Sequence, residues 1–346
     1  MKFRIFFFAA IALITASCNN ETIEPGTVVK DKPKNQVLNI TASFEEPAET
    51  RAYLEETGTT VIKAIGFRWE TTDEIQFCFE QGGTADKNTA NVTAVSADGK
   101  TAQFTVTVPA GIDVGNPYTL YAYRSSRKSE ITTGSVLDPI TPTVAVLPAA
   151  QFNYQATLAD QATVFSIWSK KVIDPAMTTI SLSFKHLGSM MTLNLKNVGS
   201  ATISDLHSIV LQTNPSQNWI INRLNGNGGA LFDMAAETYV GGSEQFSTTL
   251  TFFTPSATLA PDEVGTYYLW FVPKTDIAAF DLMLASLKSP GTLSDITGLT
   301  NVNKSITRSL QTGKNYLLFA TIENDESTTP PRPYLLKFTD STFIAP

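Results

Sequence analysis

Short β-prone segments, each followed by turn residues, recur along most of the chain and constrain its fold more than any other feature. Apolar and polar residues alternate within several of these segments, as expected for strands with one buried face. No helical pattern recurs between them, which argues against a parallel sheet with crossover helices. We therefore predict an all-β sandwich fold. The predicted strands cover residues 37–44, 64–69, 74–79, 91–95, 102–108, 118–123, 162–168, 180–184, 190–195, 203–212, 246–253, 265–272, 280–287 and 316–322.

The composition is that of a folded, acidic chain with more than one domain. Its 346 residues are 42% hydrophobic and 16% charged, so the chain can bury sizeable cores. Thr, Ser, Val, Ile, Phe and Tyr are abundant, which favours strands over helices. The net charge is −7, and the only basic run covers residues 124–128. This charge balance argues against a nucleic-acid partner.

The first 18 residues match a lipoprotein signal. Lys2 and Arg4 precede an apolar run over residues 5–14. That run is too short to cross a bilayer as a helix, which takes about 20 residues. Small residues then lead to Cys18, as a lipoprotein signal peptidase requires. We predict a signal peptide over residues 1–17 and a lipid on Cys18; the other interpretation is an ordinary secretory signal with an incidental cysteine.

The segment from Cys18 to Arg51 is interpreted as temporary. Residues 19–36 are polar and typical of a flexible tether. The loop after the first strand contains Pro47 and ends at Arg51 and Ala52, and exposed polar loops are where proteases cut. We predict that this segment anchors the chain, fills a groove in the first domain and is then cut away. The first strand places these side chains on its inner face: Leu38, Ile40, Ala42 and Phe44.

The C-terminal tail changes character after position 323. Residues 324–333 form a proline-rich linker, and residues 334–344 are β-prone. A lone strand is not stable by itself, so the tail needs a sheet edge, either its own or that of another subunit. One face of the predicted strand carries Leu336, Phe338 and Ile344. The sequence leaves both destinations open.

The predicted organisation has five parts. They are a signal peptide (1–17), a tether with a removable first strand (18–51), an N-terminal β-sandwich (52–178), a C-terminal β-sandwich (179–324), and a linker with a candidate donor strand (325–346). The boundary near position 178 rests on a turn at residues 174–175.

No group of residues has the spacing of a catalytic or metal site. His186 and His207 lack suitably spaced partners and are interpreted as structural. Acidic pairs at residues 73–74 and 262–263 fall in turns and are interpreted as solvated surface rather than as a glycosidase pair. The four tryptophans fit core packing better than sugar stacking. We predict no enzyme activity, no cofactor and no metal. The tryptophans are Trp69, Trp168, Trp219 and Trp270.

Several short segments in order along the chain form a recognisable pattern. They are Thr50-Arg51-Ala52, Trp69 before Asp73-Glu74-Ile75, Gly115 leading to Tyr121-Ala122-Tyr123, Leu147-Pro148 before Gln151, Phe184-Lys185-His186, and Gly313-Lys314-Asn315-Tyr316. Each segment is a weak match alone, but together they cover most of the chain. This pattern resembles the fimbrillins, the pilins of type V fimbriae of Bacteroides-type bacteria.

The resemblance implies two transthyretin-like β-sandwich domains in tandem and a structural role in surface fimbriae that support adhesion. It implies an outer-membrane lipoprotein precursor acylated at Cys18 and cut after Arg51 by a trypsin-like surface protease. A strand from a neighbouring fimbrial subunit, usually its C-terminal tail, then fills the vacated groove. Host or bacterial surface ligands are further expected partners. The competing hypothesis is a surface glycan-binding lipoprotein of a nutrient-uptake system, which would need no removable strand.

Overall fold

The structure is a computed structural model, and it describes the greater part of the chain between residues 36 and 339. The described residues are 36–44, 55–57, 64–66, 68–125, 144–147, 156–159, 161, 165–214, 218–221, 231–240, 246–274, 280–287, 303–306, 310–324 and 334–339. Within these ranges, no helix has both the length and the apolar character needed to cross a membrane.

Strands make up nearly all of the described secondary structure, and helical residues in these ranges occur at positions 158, 159 and 161. The all-β prediction is therefore confirmed. In chain order the strands are β1 (Val37–Phe44), β2 (Glu55–Thr57), β3 (Ala64–Gly66), β4 (Glu74–Gln81), β5 (Thr84–Val95), β6 (Ala102–Thr107), β7 (Tyr118–Ser125), β8 (Val144–Val146), β9 (Ser166–Ile173), β10 (Thr179–His186), β11 (Ser189–Asn197), β12 (Ile203–Asn214), β13 (Ile220–Ile221), β14 (Leu231–Asp233), β15 (Thr238–Tyr239), β16 (Phe246–Ser247), β17 (Thr249–Leu259), β18 (Val264–Pro273), β19 (Phe280–Leu287), β20 (Asn303–Ile306), β21 (Asn315–Glu323) and β22 (Leu335–Phe338).

Seven strands close into a barrel in the order β1, β10, β9, β7, β4, β5 and β6. The hairpin between β4 and β5 turns through Gly82 and Gly83, whose φ angles of 58° and 83° favour glycine. We predicted a break at these glycines and a strand only from residue 91. The structure starts β5 seven residues earlier, at Thr84. The first half of β5 is largely exposed and polar, so its pattern carries no alternation signal.

Strand β10 belongs to the barrel, although the sequence analysis placed residue 179 at the start of the second domain. It pairs with β1 on one side and with β9 on the other. Its inward side chains pack in the core of the barrel, and they include Ile180, Leu182 and Phe184. Alternation shows which face of a strand is buried but not which strands lie beside it, so the sequence did not indicate this pairing, and the domain boundaries stay a prediction.

A second core lies between a six-stranded and a four-stranded sheet. The first has the order β16, β13, β18, β11, β21, β22, and the second has the order β17, β12, β19, β20. Both sheets supply the buried side chains of this core. They include Leu193 and Leu269 from the larger sheet and Ile209, Phe252 and Leu282 from the smaller sheet.

A small third sheet covers the outside of the barrel. It joins β15, β14 and β8, and β8 comes from the first half of the chain. Phe232 in β14 packs against Trp168 of the barrel at a ring-centroid distance of 4.9 Å. The hydroxyl of Tyr239 in β15 donates a hydrogen bond to the carbonyl oxygen of Leu187. This sheet ties a segment of the second half of the chain onto the barrel.

Candidate strand-exchange site

Strand β1 fills a slot between two other strands of the barrel. It pairs in parallel with β10, from Asn39 opposite Thr179 to Phe44 opposite Phe184. On its other edge it runs antiparallel to β6, with Ala42 opposite Ala102. The predicted first strand is therefore present with the same bounds, and both of its edges are hydrogen-bonded.

The inner face of β1 is part of the barrel core. The side chains of Leu38, Ile40 and Ala42 are all 0% exposed. Burying a large aliphatic side chain contributes about 1.5–3 kcal/mol, so this face alone ties the strand strongly to the barrel. Ala42 lies opposite Ala102 and Leu182 in register. The buried face of β1 therefore carries two large apolar residues and then a small one at alternate positions.

An aromatic cluster closes the slot at the C-terminal end of β1. The ring of Phe44 stacks on that of Trp69 at 5.2 Å between centroids and lies 6.0 Å from that of His186. Trp69 in turn meets Phe104 and Phe184 edge-on, at 5.6 Å and 5.5 Å. Phe44 itself is partly buried against this core. The cluster extends the inner face of β1 by one more apolar position.

Polar contacts hold the outer face and the start of β1. The Thr41 hydroxyl donates to Gln103 Oε1 at 3.0 Å, and the Thr105 hydroxyl donates to Asn39 Oδ1 at 3.4 Å. Before the strand, the Gln36 side-chain amide donates to the Met177 carbonyl oxygen at 2.9 Å. These exposed contacts depend on single side chains, whereas the ladder bonds do not depend on sequence.

His186 joins the slot to the turn before β21. Its ring contacts Phe44 and also Phe165, whose centroid is 5.1 Å away. Gly313, in the turn before β21, has a φ of 73°, and a Cβ placed there would lie 3.3 Å from His186 Cδ2. Burial lowers the pKa of His186 to about 4, so the ring is neutral at physiological pH. Two segments of the fimbrillin resemblance, around residues 186 and 313, meet at this contact.

The described part of the tail folds back onto the second core of its own chain. Strand β22 pairs antiparallel with β21, with Leu336 opposite Ile322 and Phe338 opposite Ala320. Leu336 is 5% exposed, and Phe338 packs against the same core. Leu336 and Phe338 thus share the inward face of β22, which the mixed pattern of the tail had left open. Of the two destinations left open by the sequence, this structure shows the chain's own sheet.

Four of the predicted site residues lie outside the described residues. They are Cys18, Arg51, Ala52 and Ile344. Lipid attachment, the cut after Arg51 and strand donation therefore stay predictions. The walls of the slot, β6 and β10, were not singled out as site elements. Their alternating patterns were visible in the sequence, but their position beside β1 was not.

Several of the other residues considered for a chemical role are buried inside the protein. Asp73 was expected in solvent, yet it is buried and ion-paired with the buried Arg124. All four tryptophans are buried. Cys78 lies in β4 as a buried free thiol, and burial raises its pKa to about 12. Among the described residues, no group of three or more His, Cys, Asp or Glu side chains is placed to hold a metal ion.

Comparison with known proteins gives only distant structural matches. No protein-family model matches the chain, and no curated protein matches it. A candidate cell adhesion protein from Bacteroides fragilis matches at 9% identity with a TM-score of 0.45, covering 89% of this chain and 99% of that one. A candidate adhesin from Bacteroides ovatus matches at 10% identity with a TM-score of 0.46, covering 92% of this chain and 96% of that one.

A fimbrial assembly protein from Parabacteroides distasonis matches at 8% identity with a TM-score of 0.36, and the alignment covers 90% of this chain and 98% of that one. The names of these three proteins refer to cell adhesion and fimbrial assembly.

Proposed function

We propose that this protein is a structural subunit of surface fimbriae that support adhesion, assembled by exchange of its first strand. The observation that carries the proposal is the position of β1. It is the first described strand of the chain, it is paired on both edges, and its inner side chains fill the barrel core. Loss of such a strand would leave two unpaired edges and an apolar slot, which an incoming strand satisfies by β-augmentation.

Maturation in this proposal follows from the sequence before and after β1. The precursor is a lipoprotein held to the outer membrane through Cys18. A trypsin-like surface protease cuts after Arg51, in the loop between β1 and the rest of the chain, so the mature subunit begins at Ala52. The cut removes the covalent link that keeps β1 in place. Head-to-tail donation of strands does not close on itself and therefore yields a filament.

The donor in this proposal is the C-terminal strand with Leu336, Phe338 and Ile344. In this structure β22 lies at the end of the order of its sheet, and its partner there is β21. Donation therefore requires β22 to leave β21 and to extend along its proline-rich linker. A subunit whose tail stayed on β21 would accept a strand without donating one, as a terminal subunit does.

Cleavage is tested on the precursor from residue 19 onward. An arginine-specific protease is added to the folded protein, the new N-terminus is sequenced, and filaments are sought by electron microscopy. We expect a new N-terminus at Ala52 and filaments that the Arg51→Ala variant does not form. Normal filaments from Arg51→Ala would contradict the proposed maturation.

The slot itself is tested with a labelled peptide of residues 36–44. We expect the cleaved protein to capture the peptide, and the uncleaved protein not to. Peptides with Ile40→Asp and Thr41→Asp carry the same charge on opposite faces. The first should lose capture because it buries an unpaired carboxylate, and the second should retain it. Equal capture of both peptides would mean that binding does not use the slot.

Two further variants test donation of the tail strand and anchoring to the membrane separately from acceptance of a strand by the slot. Deletion of residues 334–346 should abolish filaments while leaving peptide capture intact. Normal filaments from that variant would rule out donation by the tail. Cys18→Ala should abolish labelling by a lipid analogue and release the protein from the membrane. Persistent labelling would contradict acylation at Cys18.

The competing hypothesis, a surface glycan-binding lipoprotein, relied on tryptophans as stacking platforms. All four tryptophans are buried, so none of them presents an open ring face of that kind. That hypothesis predicts that the protein binds glycans without removal of β1. The Arg51→Ala precursor therefore also tests it, because that variant would bind glycans normally and assemble nothing.

A further inference from the structure

A cleft opens in the barrel between β9 and β10, on the side of β10 away from β1. The two strands are eight residues long, yet they pair at only two positions, Lys185 opposite Trp168 and His186 opposite Ile167. Beyond these pairs the strands separate around a cleft of about 330 Å³. That volume lies at the lower end of the range for small-molecule sites, about 300–1,000 Å³.

Side chains hold this opening in a defined geometry. The Ser169 hydroxyl donates to the carbonyl oxygen of Ser183 at 2.7 Å. The ammonium group of Lys171 donates to the carbonyl oxygen of Ser181 at 3.0 Å. Two carbonyls of β10 that a continuous ladder would pair with β9 are thus satisfied by side chains of β9. The cleft is therefore a built feature of the barrel rather than a frayed hairpin.

Two lysines at the cleft converge on one internal carboxylate. Glu237, in the turn between β14 and β15, lies 3.5 Å from Lys170 Nζ and 3.9 Å from Lys185 Nζ. Lys185 also lies over the ring of Trp168, with its Nζ 5.7 Å from the ring centroid. Lys170 is held by the Ala235 carbonyl oxygen at 2.8 Å as well. Lys170 is thus held by two partners, and Lys185 lies between the ring of Trp168 and the Glu237 carboxylate.

Glu237 reaches this position at a conformational cost. Its φ of 56° is in the left-handed region, which is unfavourable for a residue with a side chain. Its side chain is 47% exposed, so the two ion pairs contribute little to the stability of this arrangement. Together with Lys171, the lining carries three positive charges against one negative charge, on a chain whose net charge is −7. The site thus holds a carboxylate weakly and keeps a positive excess.

We propose that this cleft binds a carboxylate-bearing sugar, whose carboxylate replaces that of Glu237 between Lys170 and Lys185. The internal occupant identifies a carboxylate as the group that fits the two ammonium groups. The remaining lining is rich in serine hydroxyls, which suit the hydroxyl groups of a sugar. A bare small anion would leave most of the volume unfilled. The inference goes beyond strand exchange, since the cleft is complete with β1 in place.

The test uses the folded precursor from residue 19 onward and ligand-observed NMR titrations. The probes are D-glucuronate, D-glucose as the neutral sugar of the same size, and acetate as the carboxylate alone. We expect glucuronate to bind at least tenfold more tightly than either of the other two. Equal affinity for acetate and glucuronate would mean that the cleft binds any small anion, and this would overturn the proposal. Absence of glucuronate binding would overturn it as well.

Variants then locate the binding. Lys170→Gln and Lys185→Gln should each weaken glucuronate about tenfold or more, as expected for loss of a hydrogen bond to a charged group. Lys196→Gln is the matched control, because it removes the same charge from a lysine paired with Asp262 elsewhere on the surface. Glu237→Gln should tighten binding several-fold, since it removes the internal competitor. Unchanged binding in both cleft variants, or equal loss in the control, would overturn the assignment.

Discussion

The first and last described strands of the chain are integrated to different degrees. Strand β1 has eight residues, lies between two partners and has three side chains that are 0% exposed. Strand β22 has four residues, pairs with β21 and has one side chain, Leu336, that is nearly fully buried. Both sequences are β-prone, so the difference lies in their surroundings rather than in their propensity.

This difference indicates which of the two strands can dissociate from its sheet without a cut in the chain. Freeing β1 exposes a row of core side chains and unpairs two neighbouring strands, whereas freeing β22 exposes Leu336 and the packed face of Phe338 and unpairs one strand. Local openings of lower free energy occur where few apolar contacts are lost. A subunit that must exchange both strands therefore needs a cut for the first and only a local opening for the last.

The largest expected effect belongs to Ile40→Ala. The substitution leaves a cavity in the barrel core beneath β1 and should cost about 4 kcal/mol, within the usual range of 2–5 kcal/mol. The free energy of unfolding of the uncleaved precursor, measured by denaturant titration, checks this value. A loss below about 1 kcal/mol would mean that β1 is held by its edges and not by its core.

A smaller effect is expected for Leu336→Ala in β22. The side chain is similarly apolar, but its strand lies at the end of the sheet order and can shift to fill the space. We expect a loss of about 2 kcal/mol, at the lower end of the range for such substitutions. Hydrogen exchange gives a second measurement. The Thr339 amide, bonded to Phe319, should exchange faster than the Asn39 amide, bonded to Thr178. The reverse order would contradict the comparison between the strands.

His186 provides a pH test of the aromatic cluster at the C-terminal end of β1. The folded pKa is about 4, below the unfolded value of about 6.5, so the unfolded chain binds the proton first as pH falls. The stabilisation is complete above about pH 6.5 and is lost progressively towards pH 4. Between pH 7.5 and pH 5 the precursor should lose about 2 kcal/mol through this group.

The control for this test is His186→Phe, which keeps a ring against Phe44 and Phe165 and cannot take up a proton. The pH dependence of the variant should be smaller than that of the natural chain by about the same 2 kcal/mol. Parallel curves would show that the His186 ring takes up its proton in the folded state at its ordinary pKa.

The sequence predicted β1 well because its alternation has one buried face and clear turn residues on each side. For the tail the same signal left the inner face open, because Leu335 and Phe343 lie on the face opposite to Leu336, Phe338 and Ile344. Alternation predicted a strand at β10 but not its place beside β1, because nothing in an alternating pattern states which strand lies alongside. It also failed for the first half of β5, whose exposed residues leave no apolar period to detect.

Side-chain contacts between residues far apart in the sequence could not be predicted from the sequence either. Asp73 follows a turn and was expected to be exposed to solvent. In the structure it is buried and ion-paired with Arg124, which comes 51 positions later in the chain. The lysine cleft depends on Lys170, Lys185 and Glu237, which come from three separate elements. No spacing rule joins them, whereas the topology of the barrel and the small third sheet does.

The smallest effects are expected on the outer faces of the two strands. Thr41→Val removes the hydrogen bond to Gln103 and keeps the branched shape that strands favour, so it should cost less than about 1 kcal/mol. Lys337→Gln removes an exposed ion pair with Glu323, 3.7 Å long, and should cost less than about 1 kcal/mol as well. Similar small losses would attribute the difference between β1 and β22 to their inner side chains and partners. A loss for Thr41→Val that approached that of Ile40→Ala would show instead that polar contacts on the outer face hold β1 in its slot, and a donor strand would then be selected by its polar residues.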